Sequence, residues 1–173
     1  MIHRPAATEY SSYFAKYIER VASDDLLHEL EIQLNETTDL LADLSEEQTS
    51  FRYAQGKWSV KEVVGHMVDT ERIMSYRALR IARGDVTPLP GFDENAYVSH
   101  SNFSVRSLQS LLQDFSIVRQ ATLNLLDQLP AHAWPRVGVV SNNEITVRAL
   151  GFIIAGHELH HRNVIIERYI GAL

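Results

Sequence analysis

The amino-acid sequence predicts an all-α protein, an antiparallel up-and-down four-helix bundle with a short extra helix near its N-terminus. Four long segments place apolar residues three and four positions apart, which puts them on one face of a helix. Capping residues begin several of these segments, and glycine or proline ends them. The chain has 173 residues, of which 45% are apolar, and this suits one domain over residues 1–173 with a single core.

Aromatic residues and leucines mark the first two helices. Five apolar residues at helical spacing predict a short N-terminal helix: Tyr10, Tyr13, Phe14, Tyr17 and Val21. Ser23 is the predicted N-cap of the long helix that follows, and Asp24 and Asp25 suit the positive end of its dipole. Leucines then recur along one face of that helix: Leu27, Leu30, Leu34, Leu41 and Leu44. Such a stripe is typical of a helix packed in a bundle.

The second long helix begins at a capping box in which Ser59 caps the helix and Glu62 reaches back. Its predicted core face consists of Val60, Val63, Met67, Met74 and Ile81, and Gly84 is a natural stop. A loop of about twenty residues should follow, and loops this long are often functional. This segment contains Pro88, Pro90 and Gly91.

The remaining chain predicts two more long helices with a different pattern between them. The third helix is marked by Leu108, Leu111, Phe115, Val118, Leu125 and Leu129 and is ended by Pro130. Val137 and Val139 then alternate with other residues, Ser141–Asn143 resembles a turn, and Ile145 and Val147 alternate again. This pattern fits a small hairpin or an irregular loop. The final helix is predicted from about Thr146 to Ile170.

Composition excludes several classes of function. The formal net charge of -6 disfavours nucleic acid as a partner, because an acidic surface repels phosphate backbones. The chain contains no cysteine, so a thiol reaction would have to use a thiol brought by a substrate. The polar N-terminal stretch and the lack of a long apolar run predict neither a signal peptide nor a membrane span. We therefore expect a soluble cytoplasmic protein that does not bind membranes.

His157 and His161 are the first candidate metal ligands. A spacing of four residues places both imidazoles on one helix face, one turn apart, where they can share an ion. The pair occupies positions at which the apolar stripe through Leu150 and Ile153 would otherwise continue. Two buried histidines are costly unless bonded, and a metal would satisfy both. The alternative is a pair of ordinary hydrogen-bonded core histidines.

His66 is the third candidate, near the apolar stripe of the second long helix. Metal sites in bundles form from side chains on facing helices, so His66 and the pair would make a three-nitrogen site with a position open to water. Asp69 could accept a proton from a ligand ring, or it could be a carboxylate on the helix surface. Trp58 could be a substrate platform, although an aromatic residue before a capping box more often anchors the core.

The remaining histidines are assigned no ligand role. We expect His160 to be exposed or capping, and we expect His3, His28 and His132 to be solvated. His100 could approach the mouth of the site, but the polarity of its predicted loop explains it equally well. Beyond the histidines, Phe92, Tyr97 and Trp134 could wall a pocket, with core packing as the alternative.

The segment from His157 to His161 also matches the H-E-x-x-H pattern of zinc proteases, in which the glutamate is the general base. The surroundings argue against a protease. Few residues follow His161, and none of them is a histidine that could be a third ligand. The sequence also predicts no long strand that could hold an extended peptide by its edge.

Two segments carry a family resemblance. GKWSVKEVVGH, from Gly56 to His66, followed by Asp69, resembles the first signature of the DinB/YfiT-like superfamily. AGHELHHRN, from Ala155 to Asn163, is similar to its last. The resemblance implies a four-helix bundle, often a homodimer, with zinc or nickel held at His66, His157 and His161. It further implies a small-molecule substrate, since some relatives join a low-molecular-weight thiol such as bacillithiol to electrophiles.

Three functions follow from such a site. The leading hypothesis is a metal-dependent transferase that joins a low-molecular-weight thiol to an electrophilic small molecule, because a metal-bound thiol is deprotonated to the attacking form. A metal-dependent hydrolase is the alternative, with metal-bound water as nucleophile and Glu158 as the catalytic base. The third possibility is a non-enzymatic bundle that metal stabilises for binding or for a role in stress.

Overall fold

A computed structural model describes residues 2–172, and within them seven α-helices and one hairpin form the main elements. The helices are Ala15–Ile18 (α1), Leu26–Ala42 (α2), Glu46–Ser50 (α3), Val60–Ala82 (α4), Glu94–His100 (α5), Leu108–Asp127 (α6) and Val147–Arg168 (α7). The strands are Val137–Val140 (β1) and Asn143–Thr146 (β2). Met1 and Leu173 lie outside the described residues, so both predicted ends of the domain fall there.

The four long helices α2, α4, α6 and α7 form the predicted four-helix bundle. Helix α4 packs against α6 and α7, and α2 packs against the same two helices. The most extensive interface joins α4 to α7. Helices α2 and α4 follow one another among the long helices, yet they lie at opposite corners of the bundle. Consecutive long helices therefore need not be adjacent in the bundle.

The bundle interior contains two apolar clusters separated by a layer of buried polar side chains. On α7, the apolar side chains between Val147 and Ala155 belong to one cluster and Ile165 belongs to the other. On α4, the boundary between the clusters falls between Val68 and Met74. We call the buried polar residues at this boundary the polar layer: Gln33, Thr37, His66, Thr70, Glu71, Arg119, Thr122, His157 and Glu158. Every long helix contributes to it.

Local signals explain where α4 begins and ends. The Ser59 side chain accepts a hydrogen bond from the Glu62 amide, and the Glu62 carboxylate accepts one from the Ser59 amide at 2.7 Å. This capping box is the one predicted from the sequence. Gly84 follows the helix with a φ of 81°, a conformation that glycine adopts at little cost.

The N-terminal segment differs from its prediction. The predicted short helix is present as the four-residue α1, but it is shorter than predicted because two 3₁₀ turns, Ala7–Glu9 and Ser12–Phe14, precede it. The N-cap of α2 is Asp25, whose carboxylate accepts a hydrogen bond from the His28 amide. The predicted cap, Ser23, instead accepts one from the Asp25 amide at 3.0 Å. The cap therefore lies two residues later than expected.

The predicted long loop after α4 contains regular structure. Asp93 caps α5 by accepting hydrogen bonds from the amides of Asn95 and Ala96, so the second part of the predicted twenty-residue loop is helical. Upstream, the Leu89 amide donates to the carbonyl of Val139 at 2.9 Å, so the segment before α5 is hydrogen-bonded to β1.

Strands β1 and β2 pair antiparallel, so of the two alternatives for residues 137–147 the hairpin is the one observed.

The C-terminal helix α7 agrees with its prediction to within two residues. It runs from Val147 to Arg168, and the Thr146 side chain caps it by accepting from the Ala149 amide. Most of its first half is buried on all sides, between the hairpin and the rest of the bundle. Among residues 2–172, no helix has both the length and the apolar character that crossing a membrane requires.

Candidate metal centre

The structure brings together the three histidines that the sequence singled out. His66 projects from α4, and His157 and His161 project from successive turns of α7. Nε2 of His157 lies 3.1 Å from Nε2 of His66 and 3.1 Å from Nε2 of His161. One nitrogen from each ring lies within 4.8 Å of the other two. The interface between α4 and α7 thus presents three converging imidazole nitrogens.

This donor set fits a divalent metal ion. Two nitrogens that each lie about 2.0–2.1 Å from a tetrahedral zinc ion are separated by about 3.3 Å, close to the spacings found here. Imidazole is an ordinary ligand for zinc and nickel, and three such ligands leave a position open. Hydrogen bonds alone satisfy the cluster poorly, because a neutral imidazole has only one N–H to donate.

Burial keeps these rings neutral. Burial is the main cause that lowers the pKa of His66 to about 4, and positive charge on His160 would lower it further. The pKa values of His157 and His161 are also held well below the usual range, first by burial and then by the neighbouring histidines. A neutral imidazole keeps the lone pair with which it binds a metal, so the site is ready for a cation near neutral pH.

Thr70 is the side chain placed to orient His66. Its hydroxyl oxygen lies 3.5 Å from Nδ1 of His66, and the two residues are one helical turn apart on α4. A proton on Nδ1 directed to this oxygen leaves Nε2 free for a metal. Asp69 does not contact a ligand ring and instead pairs with Arg72 at 3.3 Å. Of the two alternatives for Asp69, the surface carboxylate is the one observed.

Aromatic rings enclose the cluster on two sides. The Trp58 ring lies 4.8 Å from the His66 ring, centroid to centroid, so this tryptophan contacts His66 as well as the apolar core. On the other side, the Tyr17 ring packs edge-on against His157 at 5.3 Å. Gly156 permits this contact, because a Cβ at that position would lie only 2.0 Å from the Tyr17 carbonyl oxygen.

Glu158 lies in the polar layer but is separate from the three ring nitrogens. Its side chain accepts a hydrogen bond from the Thr37 hydroxyl on α2, and one carboxylate oxygen is buried without a hydrogen-bond partner among the described residues. Arg162 lies 3.8 Å from the first oxygen. Burial raises the pKa of this carboxyl, which favours its neutral form. The catalytic role of Glu158 stays a prediction.

The other histidines lie outside the cluster. His3, His28 and His132 are exposed, as expected. His160 is partly buried, with its ring edge-on to Tyr17 and His161, so the expectation of an exposed or capping residue was wrong. His100 is exposed on α5, where its Nδ1 lies 2.7 Å from the Ala96 carbonyl oxygen.

Two cavities reach the histidines. The first, which we call the Arg77 cavity, has a volume of about 300 Å³ and is lined in part by His66, Thr70, Met74, Arg77, Phe92 and His157. The second, the Trp58 cavity, has a volume of about 280 Å³ and is lined in part by Tyr53, Trp58, Asn95, His160, His161 and Tyr169. Among the suggested wall residues, Phe92 lines the Arg77 cavity. Tyr97 and Trp134 line neither of these two cavities, and Trp134 packs in the apolar core.

Thr70 and Arg77 were missed as site residues in the sequence, although a signal was present. They follow His66 by four and eleven residues on one capped helix, and both intervals keep a residue on the same helix face. Tyr17 carried no comparable signal, because a contact between the N-terminal segment and α7 depends on the tertiary fold.

Comparisons with known proteins give the family of the chain and a shared fold. Residues 29–165 match the family model of the DinB superfamily. A protein of Oceanobacillus iheyensis, whose name proposes a metal-dependent hydrolase, is 27% identical over 154 residues, which cover 83% of this chain and 84% of that protein.

A solved structure, that of YfiT from Bacillus subtilis, superposes with a TM-score of 0.73 and 18% sequence identity. The match covers 98% of this chain and 93% of YfiT, which is described as having an unusual four-helix bundle topology and is proposed as a metal-dependent hydrolase. At this identity the likeness shows a shared fold. The family match spans most of the chain, and the chain therefore belongs to the DinB superfamily.

Proposed function

We propose that this protein is a metal-dependent transferase that joins a low-molecular-weight thiol to an electrophilic small molecule. The observation that carries the proposal is the convergence of three neutral imidazoles, from His66, His157 and His161, between two cavities. A divalent ion such as zinc or nickel, held by neutral ligands, keeps its full charge and favours the deprotonated form of a bound thiol.

Two cavities on one metal centre suit a reaction of two substrates. His66 and His157 line the Arg77 cavity, and His161 lines the Trp58 cavity. A thiol in one cavity and an electrophile in the other would meet at the histidines, where the new sulfur–carbon bond forms as the leaving group departs with its electron pair. The chain has no cysteine, so the sulfur must come from a co-substrate.

Hydrolysis is the second candidate, and the names of the Oceanobacillus and Bacillus relatives favour it. In that reaction Glu158 would accept the proton of the attacking water. Glu158 accepts a hydrogen bond from Thr37, so its carboxylate would have to turn toward the histidines and lose its proton to act as the base. Glu158→Gln should then abolish hydrolysis while metal content stays normal. Unchanged turnover in this variant would exclude Glu158 as the base.

The test of the transferase proposal compares metal-free protein with protein reconstituted with zinc or nickel. Small thiols, among them bacillithiol and free cysteine, are offered with monochlorobimane, and the thioether product is measured. We expect product formation to require metal, to be lost in His157→Ala and to persist in His132→Ala, whose exposed side chain lies outside the cluster and outside both cavities.

Three other outcomes are decisive. Full activity in the metal-free protein would overturn a metal-dependent transferase. Hydrolysis of esters or amides without thiol transfer would favour the second candidate. Metal that raises the free energy of unfolding while neither reaction proceeds would leave the non-enzymatic role, a metal-stabilised binding protein.

A further inference from the structure

Arg77 is a buried arginine whose guanidinium has no carboxylate within ion-pair distance among the described residues. Only 4% of its surface is exposed. Its guanidinium donates to the Pro90 carbonyl at 2.6 Å and to the Met74 sulfur at 3.4 Å, and it lies 5.7 Å from the centre of the Phe92 ring. A guanidinium has five N–H groups, so three find no acceptor within residues 2–172.

The other buried arginine shows what a structural role requires. Arg119 is paired with both carboxylate oxygens of Glu71, and its remaining nitrogen donates to the Leu30 carbonyl and to Gln33. Burial lowers the pKa of Arg77, and the opposing effect comes from Tyr97 and not from a carboxylate. A buried charge without a counter-ion is costly unless a ligand supplies one.

Arg77 lies on the same face of α4 as His66, and both line the Arg77 cavity with Thr70 and Met74 between them. The contact with Met74 shows that the guanidinium points back along the helix toward His66. The eight residues from His66 to Met74 rise about 12 Å along the helix axis. The guanidinium and the histidines thus line one cavity and are separated along α4 by about two helical turns.

We propose that Arg77 binds the carboxylate of a substrate whose opposite end reacts at the three histidines. The inference rests on the proposed function, since it takes the histidines as the reacting end, and it adds the class of substrate. A planar guanidinium binds a carboxylate through two parallel hydrogen bonds.

The charge of the cavity favours a carboxylate over a phosphate. Arg77 is the only lysine or arginine among its described lining residues, and it matches one negative charge. Glu94 is the only acidic residue among them, and it forms no ion pair with Arg77 at 4.0 Å or less among the described residues. Phe92 and Met74 provide apolar surface for the chain between the two polar ends of the ligand.

Arg77 also donates a hydrogen bond to the Pro90 carbonyl of the loop before α5. A test must distinguish this structural role from ligand binding. Arg77→Lys keeps the positive charge and a donor but loses the two-pronged geometry. Arg77→Gln removes the charge and keeps a donor for the Pro90 carbonyl. Thermal unfolding of both variants shows whether the loop contact survives. If Arg77 has only a structural role, Arg77→Gln should weaken the binding of charged and neutral ligands equally.

The experiment measures dissociation constants by titration calorimetry with 8-mercaptooctanoate and with its neutral analogue 8-mercaptooctanamide. Each probe is titrated into metal-loaded and metal-free wild-type protein, Arg77→Lys and Arg77→Gln. We expect the carboxylate to bind wild-type protein at least about tenfold more tightly than the amide, with or without metal. The advantage should persist in part in Arg77→Lys and fall below about twofold in Arg77→Gln.

The two proposals fail in different ways. Equal affinities of the two probes for wild-type protein, or no binding of either, would overturn the carboxylate subsite. A carboxylate advantage that Arg77→Gln leaves intact would overturn the assignment to Arg77. If metal strengthens neither probe while the carboxylate advantage remains, the thiol function fails and the subsite stands. The short 3-mercaptopropionate cannot reach from Arg77 to the histidines, so metal should strengthen its binding less than it strengthens the binding of 8-mercaptooctanoate.

Discussion

The polar layer has two halves that differ in how their hydrogen bonds are satisfied. In the half formed by α2, α4 and α6, Arg119 binds Glu71 through nitrogens 2.9–3.1 Å from the carboxylate, and the Leu30 carbonyl and Gln33 accept from its third nitrogen. In the half formed by α4 and α7, three imidazoles direct nitrogens at one another next to two cavities. Both halves lie between the same apolar clusters.

The difference distinguishes polar groups that fix the packing of the helices from polar groups that can bind a ligand. A buried ion pair whose hydrogen-bond groups are satisfied internally needs no ligand, and it fixes how the helices pack. A buried cluster of neutral bases with converging lone pairs is complete only when a cation joins it. Both are polar and buried, so burial alone would not distinguish them. The presence of internal partners does.

The largest effect should come from breaking the ion pair. Arg119→Met leaves the Glu71 carboxylate buried without a partner, and we expect a loss of about 3–5 kcal/mol in the free energy of unfolding. Urea unfolding of the metal-free proteins measures it. The double variant Arg119→Met, Glu71→Met should recover most of the loss, because an apolar pair of similar volume often replaces a buried ion pair at little cost.

His161→Ala is the matched variant in the other half. It removes a neutral, partly exposed ring and leaves no buried charge, so the metal-free protein should lose only about 1 kcal/mol. If His161→Ala destabilised the metal-free protein as much as Arg119→Met, the histidine cluster would be part of the architecture and the comparison between the two halves would fail.

The next effect is a dependence of stability on pH. The pKa of His66 is lowered from about 6.5 to about 4, so the unfolded chain binds more protons than the folded chain between these values. Stability must therefore fall as pH falls through this window. For His66 alone, the metal-free protein should lose about 2 kcal/mol between pH 7 and pH 5.

The matched control for this prediction is metal-free His66→Ala, which should lose less stability over the same interval. Urea midpoints at pH 7 and pH 5 provide the measurement. A loss that His66→Ala leaves unchanged would show that another group carries the pH dependence, and a gain in stability toward pH 5 would contradict the neutral, buried state of these rings.

The smallest effect concerns the orientation of His66. Thr70→Val keeps the shape of the side chain but removes the hydroxyl 3.5 Å from Nδ1, and we expect about a tenfold loss of metal affinity. Competition with a chelating dye measures it. Thr122→Val, in the same polar layer but without a hydrogen-bond partner within residues 2–172, should leave affinity unchanged. Equal affinities in wild-type protein and Thr70→Val would remove Thr70 from the site.

The sequence predicted much of the fold because the bundle follows from local signals. Helix α4 began at the predicted capping box at Ser59, and α7 began within a residue of Thr146. Helix α3 was missed although Ser45 and Gln48 form a capping box, because five residues leave too little apolar periodicity. The opposite placement of α2 and α4 is a property of the whole bundle, which no single segment encodes.

The candidate site was predicted in its histidines and missed in its surroundings. His157 and His161 share a helix face by spacing alone, and His66 was placed with them by its position on a second helix and by the family resemblance. The surroundings depend on contacts between segments far apart in the chain. Tyr17 against His157 and Pro90 against Arg77 are examples that periodicity does not reveal.

The central claim is that His66, His157 and His161 together hold one divalent metal ion. The most direct test is elemental analysis of purified, untagged protein after reconstitution, beside His66→Ala, His157→Ala and the control His160→Ala. We expect about one equivalent of zinc or nickel per chain in wild-type protein and in His160→Ala, and loss of the metal in the other two variants. Substoichiometric metal that is indifferent to His66 and His157 would contradict the claim and leave these residues as core histidines.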